Sequence, residues 1–459
     1  MRELSSCTLS ELLDPNGIEC RCSRRHTANV SRLLLGSAQI RLLPKLLGEL
    51  GLGRPFLLCG PNGYEAAGKA VCSALEAAGC PFCLHVITPN TPGRLRPDEY
   101  AVGSACLHFD HRCDCVIAIG SGVINDTGKV FSKAAALPLL TVATAPSMDG
   151  YASDNASMEV SGIKLSLHEQ TPVAVICDTD VLSRAPLHMI HAGIGDILAK
   201  TTALCDWKLS HVITGEYYCD SVAGLVEKTL RETIAAAPGA VARQRDAIAA
   251  VTEGMLLSGL AIAFAGTSHP ASGLDHYFSH CWEMMCLERG QEYELHGVQV
   301  GVGMLLTLRL AEWLKAEHPD MERVKAAADR FDAVAWENRL RRVFPRTAEE
   351  LLEMERRARK NEWEGRLRRA ARAIARWEEI CAILDALPGF AETEKAMRAL
   401  GMLTRPEELG LTAADAVDAF VCSRDIRDKY LLSSLIWDLG YMDEFAGRLQ
   451  SAVYGGSES

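Results

Sequence analysis

Apolar runs of four to seven residues punctuate the first 180 residues, and between them hydrophobic positions recur at helical spacing. Pro55-Phe-Leu-Leu-Cys59 reads as a buried strand, and Tyr64 to Ala78 as the helix that follows it. Phe82 to Ile87, Cys115 to Ile119, Leu137 to Ala143 and Pro172 to Cys177 read as further strands, with a helix from Ile124 to Ala136. Short apolar strands alternating with helices predict βαβ units and a mostly parallel sheet. Such sheets bind ligands beyond the carboxyl ends of their strands. After about Arg184 strand-like runs nearly vanish, and helical periodicity rich in Ala, Leu, Glu and Arg continues to the end. The pattern therefore predicts an α/β N-terminal domain with a mostly parallel, Rossmann-like sheet (residues 1–183), followed by an all-α C-terminal domain (residues 184–459). The tail Gly455-Gly-Ser-Glu-Ser459 is expected to fray.

Composition narrows the function. The 459 residues carry a formal charge of −11, which argues against a nucleic-acid partner, because displacing phosphate counterions needs a basic face. The longest charge-free apolar stretch, Gly254 to Gly266, is short of the roughly 20 residues a membrane span requires. The start, Met1-Arg2-Glu3-Leu4, lacks the apolar stretch of a signal peptide. An odd number of cysteines, 17, some inside apolar runs such as Cys59, Cys177 and Cys205, points to a reduced cytoplasm and not to a disulfide framework. Residues 341–376 hold 12 Arg or Lys against 6 Glu, which reads as a solvated helix with paired charges.

Three segments carry candidate chemistry. Gly120-Ser-Gly-Val-Ile-Asn-Asp126 follows a strand and opens a helix, where backbone N–H groups and the helix dipole can hold a pyrophosphate. A tight βα turn would use the same residues, and Asn125 departs from the GxGxxG pattern. Thr144-Ala-Pro-Ser-Met-Asp-Gly-Tyr-Ala-Ser153 places hydroxyls and a carboxylate past the next strand, at the same sheet edge. In the helical half, Gly195-Asp196 precedes Lys200 by one turn, His276 and His280 share a helix face, and His296 follows a loop around Gly290. One Asp with two or three His can form a catalytic metal site with an open position; isolated core histidines would look similar.

Together with Gly195-Asp-Ile-Leu-Ala-Lys200, Ser272-Gly-Leu-Asp-His-Tyr-Phe-Ser-His280 and His296-Gly-Val-Gln-Val-Gly301, these blocks resemble the sn-glycerol-1-phosphate dehydrogenase family of the metal-dependent alcohol dehydrogenase and dehydroquinate synthase superfamily. The likeness runs in order over about residues 20–310 and implies a dehydroquinate synthase-like fold. By resemblance, the backbone of Gly122, Val123, Ile124, Asn125 and Asp126 holds the pyrophosphate of NAD or NADP, and Thr144, Ser147 and Ser153 contact the cofactor nearer the nicotinamide. Asp149 touches substrate. Asp196, His276 and His296 bind one divalent metal (Zn, Ni or Fe), with Asp196 also near the substrate, and His280 faces the substrate without ligating. The implied reaction is reversible reduction of dihydroxyacetone phosphate to sn-glycerol 1-phosphate by a cytoplasmic homo-oligomer, with Asp196 and His280 as catalytic residues. Lys200 and Lys164 are candidates for the substrate phosphate.

Two departures stand out. Relatives carry an Asp for the adenosine ribose where Gly60-Pro61-Asn62 stands here, and the acidic position of the glycine loop is shifted to Asp126. Cys20-Arg-Cys-Ser-Arg-Arg-His26 could clip a metal or simply edge the sheet. Competing readings are a glycerol or polyol dehydrogenase, a dehydroquinate synthase-like lyase, which would want more Lys and Arg around the metal, and a nucleotide sensor without catalysis.

Overall fold

In the computed structural model, residues 3–90, 93–160 and 163–454 are described, so the tail from Gly455 lies outside them. The strands in chain order are β1 (Ile18–Glu19), β2 (Arg25–His26), β3 (Arg32–Gly36), β4 (Pro55–Cys59), β5 (Cys83–Val86), β6 (Cys115–Gly120), β7 (Leu139–Ala143), β8 (Asn155–Val160), β9 (Ile163–His168) and β10 (Ala174–Asp178). Among the described residues, six of them form one parallel sheet in the order β3-β10-β7-β6-β4-β5. Both faces of that sheet are covered, which explains runs that are apolar at every position. Leu57, Cys59, Ile117 and Ile119 pack on one side with Leu43, Val71 and Leu75. Phe56, Leu58, Val116 and Ala118 pack on the other with Ile124 and Phe131.

The sequence reading recovers the buried central strands and the edge strand β5, and misses the other edge, β3, and the β8–β9 hairpin. β3 has one exposed and four half-buried residues, and the β8–β9 hairpin alternates polar with apolar, so neither shows as a continuous apolar run. From β4 the chain crosses outward to β5, then returns to form β6 on the opposite side of β4. The strand order thus reverses between β4 and β6, and the loops after these two strands flank a switch-point crevice. They approach closely: a Cβ on Gly63 would sit 2.6 Å from the carbonyl oxygen of Ile119.

The two compact units do not follow the boundary at residues 183/184. One comprises Met1–Ile197 and Asp220–Thr267, the other Leu198–Cys219 and Ser268–Ser459. Helices Asp220–Val241 and Arg245–Ala265 belong with the sheet because they pack on each other and the second also packs on the turn at 150–152. Periodicity identifies a helix but not the layer that receives it. Helix Arg245–Ala265 is long and apolar enough to pass for a membrane span, yet most of it is buried in this unit. At the separate β1–β2 hairpin, the Cys22 Sγ lies 3.5 Å from His26 Nε2, and His26 Nδ1 lies 2.8 Å from the Phe264 carbonyl.

The second unit has one large core. Leu209, Leu274, Phe278, Trp282, Leu310, Phe344, Phe420, Leu435 and Phe445 contribute to it. In the basic stretch, Arg341 pairs with Glu337 and Arg357 with Glu353 at the surface, whereas Arg366 is buried against the Trp437 ring.

Candidate active site

In the sheet unit, the helix Gly122–Ala134 begins at the end of β6, and its N-cap, Ser121, makes no side-chain cap. First-turn N–H groups are therefore left for an anion at the switch point. Gly122 and Val123 are half-buried there, whereas Ile124, Asn125 and Asp126 are buried. The last two side chains do not face the loop's open side. Asn125 Nδ2 donates to Asp126 (3.2 Å), Thr141 Oγ1 donates to Asn125 Oδ1 (3.1 Å), and Asp126 Oδ2 accepts the Ser157 N–H (3.1 Å). The Asn125 N–H also donates to the Ser121 carbonyl (3.0 Å), so the N–H groups left for a phosphate are those of the first turn before it.

Sequence reasoning missed Lys129, one turn further along. It is fully buried and donates to the carbonyls of Gly150 (2.6 Å) and Asn155 (2.8 Å), with Ser153 Oγ at 3.5 Å. Burial weakens both charges of the Asp126/Lys129 pair, and each partly restores the other. A lysine three residues after an aspartate inside a helix with an apolar face was the available signal.

Lys129 holds the second loop from beneath. Thr144 is half-buried just past β7 and its N–H donates to Gly120, joining the two loops; Ser147 and Ser153 are buried. The Asp149 N–H donates to Asp196 Oδ2 (3.0 Å), and Asp149 Oδ2 accepts from Ser258 (2.9 Å). The fold thus brings Asp149 and the buried Asp196 together. Glycines permit this packing: a Cβ on Gly193 would lie 2.1 Å from the Pro146 carbonyl oxygen, and one on Gly259 would lie 2.8 Å from that of Asp149.

The expected shared face of Asp196 and Lys200 does not form. The helix Leu187–Leu198 ends, Ala199 turns, and Lys200 opens the next helix, Lys200–Thr214. Lys200 is buried and donates to the Ala271 carbonyl at 3.0 Å. Lys164 sits on the β8–β9 hairpin, where its charge acts on Asp126.

In the helical unit, His276 and His280 ride on helix Leu274–Glu288, and His296 opens helix His296–Lys315. The rings converge: His276 and His296 centroids are 5.2 Å apart, and His280 and His296 are 5.4 Å apart and stacked. Gly303 allows the two helices to meet, since a Cβ there would lie 2.4 Å from the Asp275 carbonyl oxygen. Two of the three imidazoles, His276 and His296, are oriented through Nδ1. His276 Nδ1 hydrogen-bonds the buried Asp275 carboxylate, which also accepts from Thr202 at 2.6 Å. His296 Nδ1 lies 3.0 Å from Ser279 Oγ and 3.3 Å from Glu283 Oε1. Such partners fix the ring and present Nε2, as in metal-binding imidazoles. His280 Nδ1 lies 3.6 Å from Glu283 Oε2 and has no hydrogen-bond partner. Burial first, and then the charge of Arg427, hold His280 neutral well below its ordinary range. Donor atoms of His280, Glu283 and His296 all lie within 4.8 Å of one another, so these residues suit a divalent cation. Glu283 is a second residue missed in the sequence; its signal was the i,i+3 spacing from His280 on the same helix face.

A switch-point sheet joined in one chain to a helical unit with an imidazole cluster defines the class of metal-dependent alcohol dehydrogenases. A family model described as "Iron-containing alcohol dehydrogenase" matches residues 34–186. Solved structures share the fold: glycerol dehydrogenase from Schizosaccharomyces pombe (TM-score 0.59, 14% identity, 95% of this chain and 94% of that one) and NADH-dependent butanol dehydrogenase A from Thermotoga maritima (0.57, 14%, 91% and 98%). The particular family follows from the sequence. The chain is 34% identical over 289 residues (63% of this chain, 72% of the relative) to the glycerol-1-phosphate dehydrogenase [NAD(P)+] of Halalkalibacterium halodurans. It is 32% identical over 277 residues (60% and 76%) to that of Pyrococcus furiosus. The chain belongs to the glycerol-1-phosphate dehydrogenase family.

Proposed function

We propose that this chain reduces dihydroxyacetone phosphate to sn-glycerol 1-phosphate with NADH or NADPH, reversibly, and requires one divalent metal ion. The observation that carries this reading is the imidazole cluster. His276 and His296 are each held at Nδ1 by a carboxylate or hydroxyl, which nucleotide binding alone has no use for. His276 and His296 would hold the metal with Asp196 as the carboxylate ligand. When bound, the metal supplies Lewis-acid polarisation of the C2 carbonyl, and the reduced nicotinamide supplies the hydride.

The chain's own residues do the rest. Gly122 to Ile124 bind the pyrophosphate through backbone N–H groups, with Thr144, Ser147 and Ser153 on the nicotinamide side. Asp149, fixed by Ser258, orients a substrate hydroxyl. His280, neutral and buried, is positioned to deliver the proton to the C2 oxygen, with Glu283 beside it to stabilise the imidazole in transit. Single buried thiols such as Cys59 and Cys177, pushed up to about 12 by burial and therefore inert, support placing the enzyme in the reducing cytoplasm.

The test is NADH and NADPH oxidation by metal-replete enzyme, comparing dihydroxyacetone phosphate with dihydroxyacetone. Preference for the phosphorylated ketone and formation of the sn-1 enantiomer are expected. Comparable kcat/KM for the two ketones would favour a polyol dehydrogenase, and glycerol 3-phosphate as product would overturn the stereochemical assignment.

A further inference from the structure

A second cluster of metal-ligating side chains lies outside the site already described, where the β1–β2 hairpin meets the foot of helix Asp220–Val241. Donor atoms of Cys20, Cys22, His26 and Cys219 all lie within 4.8 Å of one another. Cys20, His26 and Cys219 are buried and Cys22 is half-buried. Three of the four come from one short stretch of sequence, and the local backbone folds them inward. The Cys20 N–H donates to the Arg24 carbonyl and the Ser23 N–H to the Cys20 carbonyl, both at 3.1 Å. These bonds close a tight turn in which Ser23 takes a left-handed φ of 65°. A residue with a side chain is held in that region only where its surroundings over-determine it. β2 then carries His26 back alongside Ile18 of β1. Cys219 immediately precedes helix Asp220–Val241, and the turn Leu4–Ser6 packs on that helix, with the Ser221 hydroxyl donating to Glu3 Oε2 at 3.4 Å.

The imidazole is set to ligate. The Phe264 carbonyl can only accept, so the 2.8 Å bond to His26 Nδ1 places the ring proton there and leaves Nε2 with its lone pair. Cys22 Sγ lies 3.5 Å from that Nε2. Around a tetrahedral ion with bonds of about 2.1 Å to nitrogen and about 2.3 Å to sulfur, neighbouring ligand atoms stand roughly 3.5 to 3.8 Å apart. The observed sulfur–nitrogen spacing already matches that of a coordinated pair. Buried cysteines such as Cys59 and Cys115 lie among apolar side chains of the sheet core, whereas Cys20, Cys22 and Cys219 converge on one imidazole. Three soft thiolates with one imidazole select zinc over harder ions. Four protein ligands leave no open position, so an ion here would staple and not catalyse.

We propose that Cys20, Cys22, His26 and Cys219 bind one structural zinc ion, which fastens the β1–β2 hairpin to the start of helix Asp220–Val241. The thiol protons leave on binding, so the ion adds to the stability of the folded chain and does so more strongly as pH rises. The proposal is independent of the reaction assigned above and of the ion assigned to the imidazole cluster, whose donors are nitrogen and oxygen.

Cobalt spectroscopy and metal analysis of the whole chain, purified under reductant, test it. Wild-type protein reconstituted with Co²⁺ should show thiolate-to-metal charge transfer in the near ultraviolet, which the cluster of His276, His280, Glu283 and His296 has no sulfur to produce. Cys20→Ser/Cys22→Ser should lose that band and one zinc ion per chain, and its thermal midpoint should fall by about 5 °C or more. Cys22→His, which keeps four ligands, should retain the zinc with a weaker band. His276→Ala should keep both the band and this zinc ion, which separates the staple from the imidazole cluster. Wild-type protein without the charge-transfer band would overturn the proposal, and that spectrum needs no variant to fold. So would a Cys20→Ser/Cys22→Ser chain that holds as much zinc as wild type, or a disulfide among the three cysteines in protein whose thiols were trapped at lysis.

Discussion

The switch point of the sheet unit and the histidine cluster of the helical unit solve the problem of polar groups in opposite ways. Around the switch point nearly every buried polar atom is spoken for. Asn125, Asp126, Lys129 and Thr141 bond one another or the backbone, and what faces outward is main-chain N–H and small side chains. In the helical unit the buried polar groups cluster without closing their own network. His280 Nδ1, Tyr277 Oη and Trp282 Nε1 have no hydrogen-bond partner there. A buried polar group without a partner costs free energy, so it persists where a ligand supplies the missing interaction. In the proposed reading the first region would hold a cofactor by shape and backbone, and the second would be completed by an ion and a substrate.

The strongest way to break that comparison is to remove a ligand from the open cluster. His276→Ala should lower kcat by about 10³-fold or more, while NADH affinity stays within a few-fold, because the Lewis-acid contribution amounts to several kcal/mol and the dinucleotide loops belong to other segments. Chelation should do the same. Full activity in enzyme shown by elemental analysis to be metal-free would remove the metal from the reaction.

The closed network should instead fail in stability. Lys129→Met leaves the carbonyls of Gly150 and Asn155 without their donor and takes from the buried Asp126 one of the two cations acting on it, which should cost about 3 kcal/mol. Urea unfolding measures this, and a change below about 0.5 kcal/mol would mean that the ammonium is not what holds the loop at Gly150 and Asn155.

Substrate choice sharpens the picture of an unfinished polar cluster. A site that pairs a dianion leaves its donors unpaired with the smaller ketone, so dihydroxyacetone phosphate should exceed dihydroxyacetone in kcat/KM by at least about a hundredfold. Steady-state kinetics with both ketones decides it.

The smallest effect belongs to the backbone-lined region. Past β4, Gly60 is buried and Asn62 exposed, with no carboxylate to repel a 2′-phosphate, while Lys69 is paired with Glu65 at 2.6 Å. NADH and NADPH should therefore differ by no more than about tenfold in kcat/KM, or roughly 1.4 kcal/mol. Gly60→Asp should move the ratio toward NADH, with the Leu95 side chain, 3.3 Å from the new Cβ, giving way. A several-hundredfold wild-type preference would place the discriminating group elsewhere.

By itself the sequence marked the buried strands and the helices that follow them in the α/β half and the glycine loop at β6, and through a family resemblance it offered Asp149, Asp196, His276, His280 and His296 as candidate site residues. These were legible because strand and helix periods are local, and because glycines, hydroxyls and imidazoles at fixed spacings carry their chemistry with them. The edge strand β3 and the β8–β9 hairpin were not legible, since half-exposed strands lack a continuous apolar run. Only the tertiary structure decided that the two helices of residues 220–265 join the sheet unit. It alone showed that Asn125 and Asp126 turn their side chains inward, that Lys200 is sealed against Ala271, and that Asp275 and Glu283 orient the imidazoles. It also tied Leu432, through Asp206, and Lys429, through the Ser272 carbonyl, to the start of the helix of His276. Each of these depends on which distant segment packs against a given face, and a local pattern marks a face as buried or polar without naming the partner that covers it.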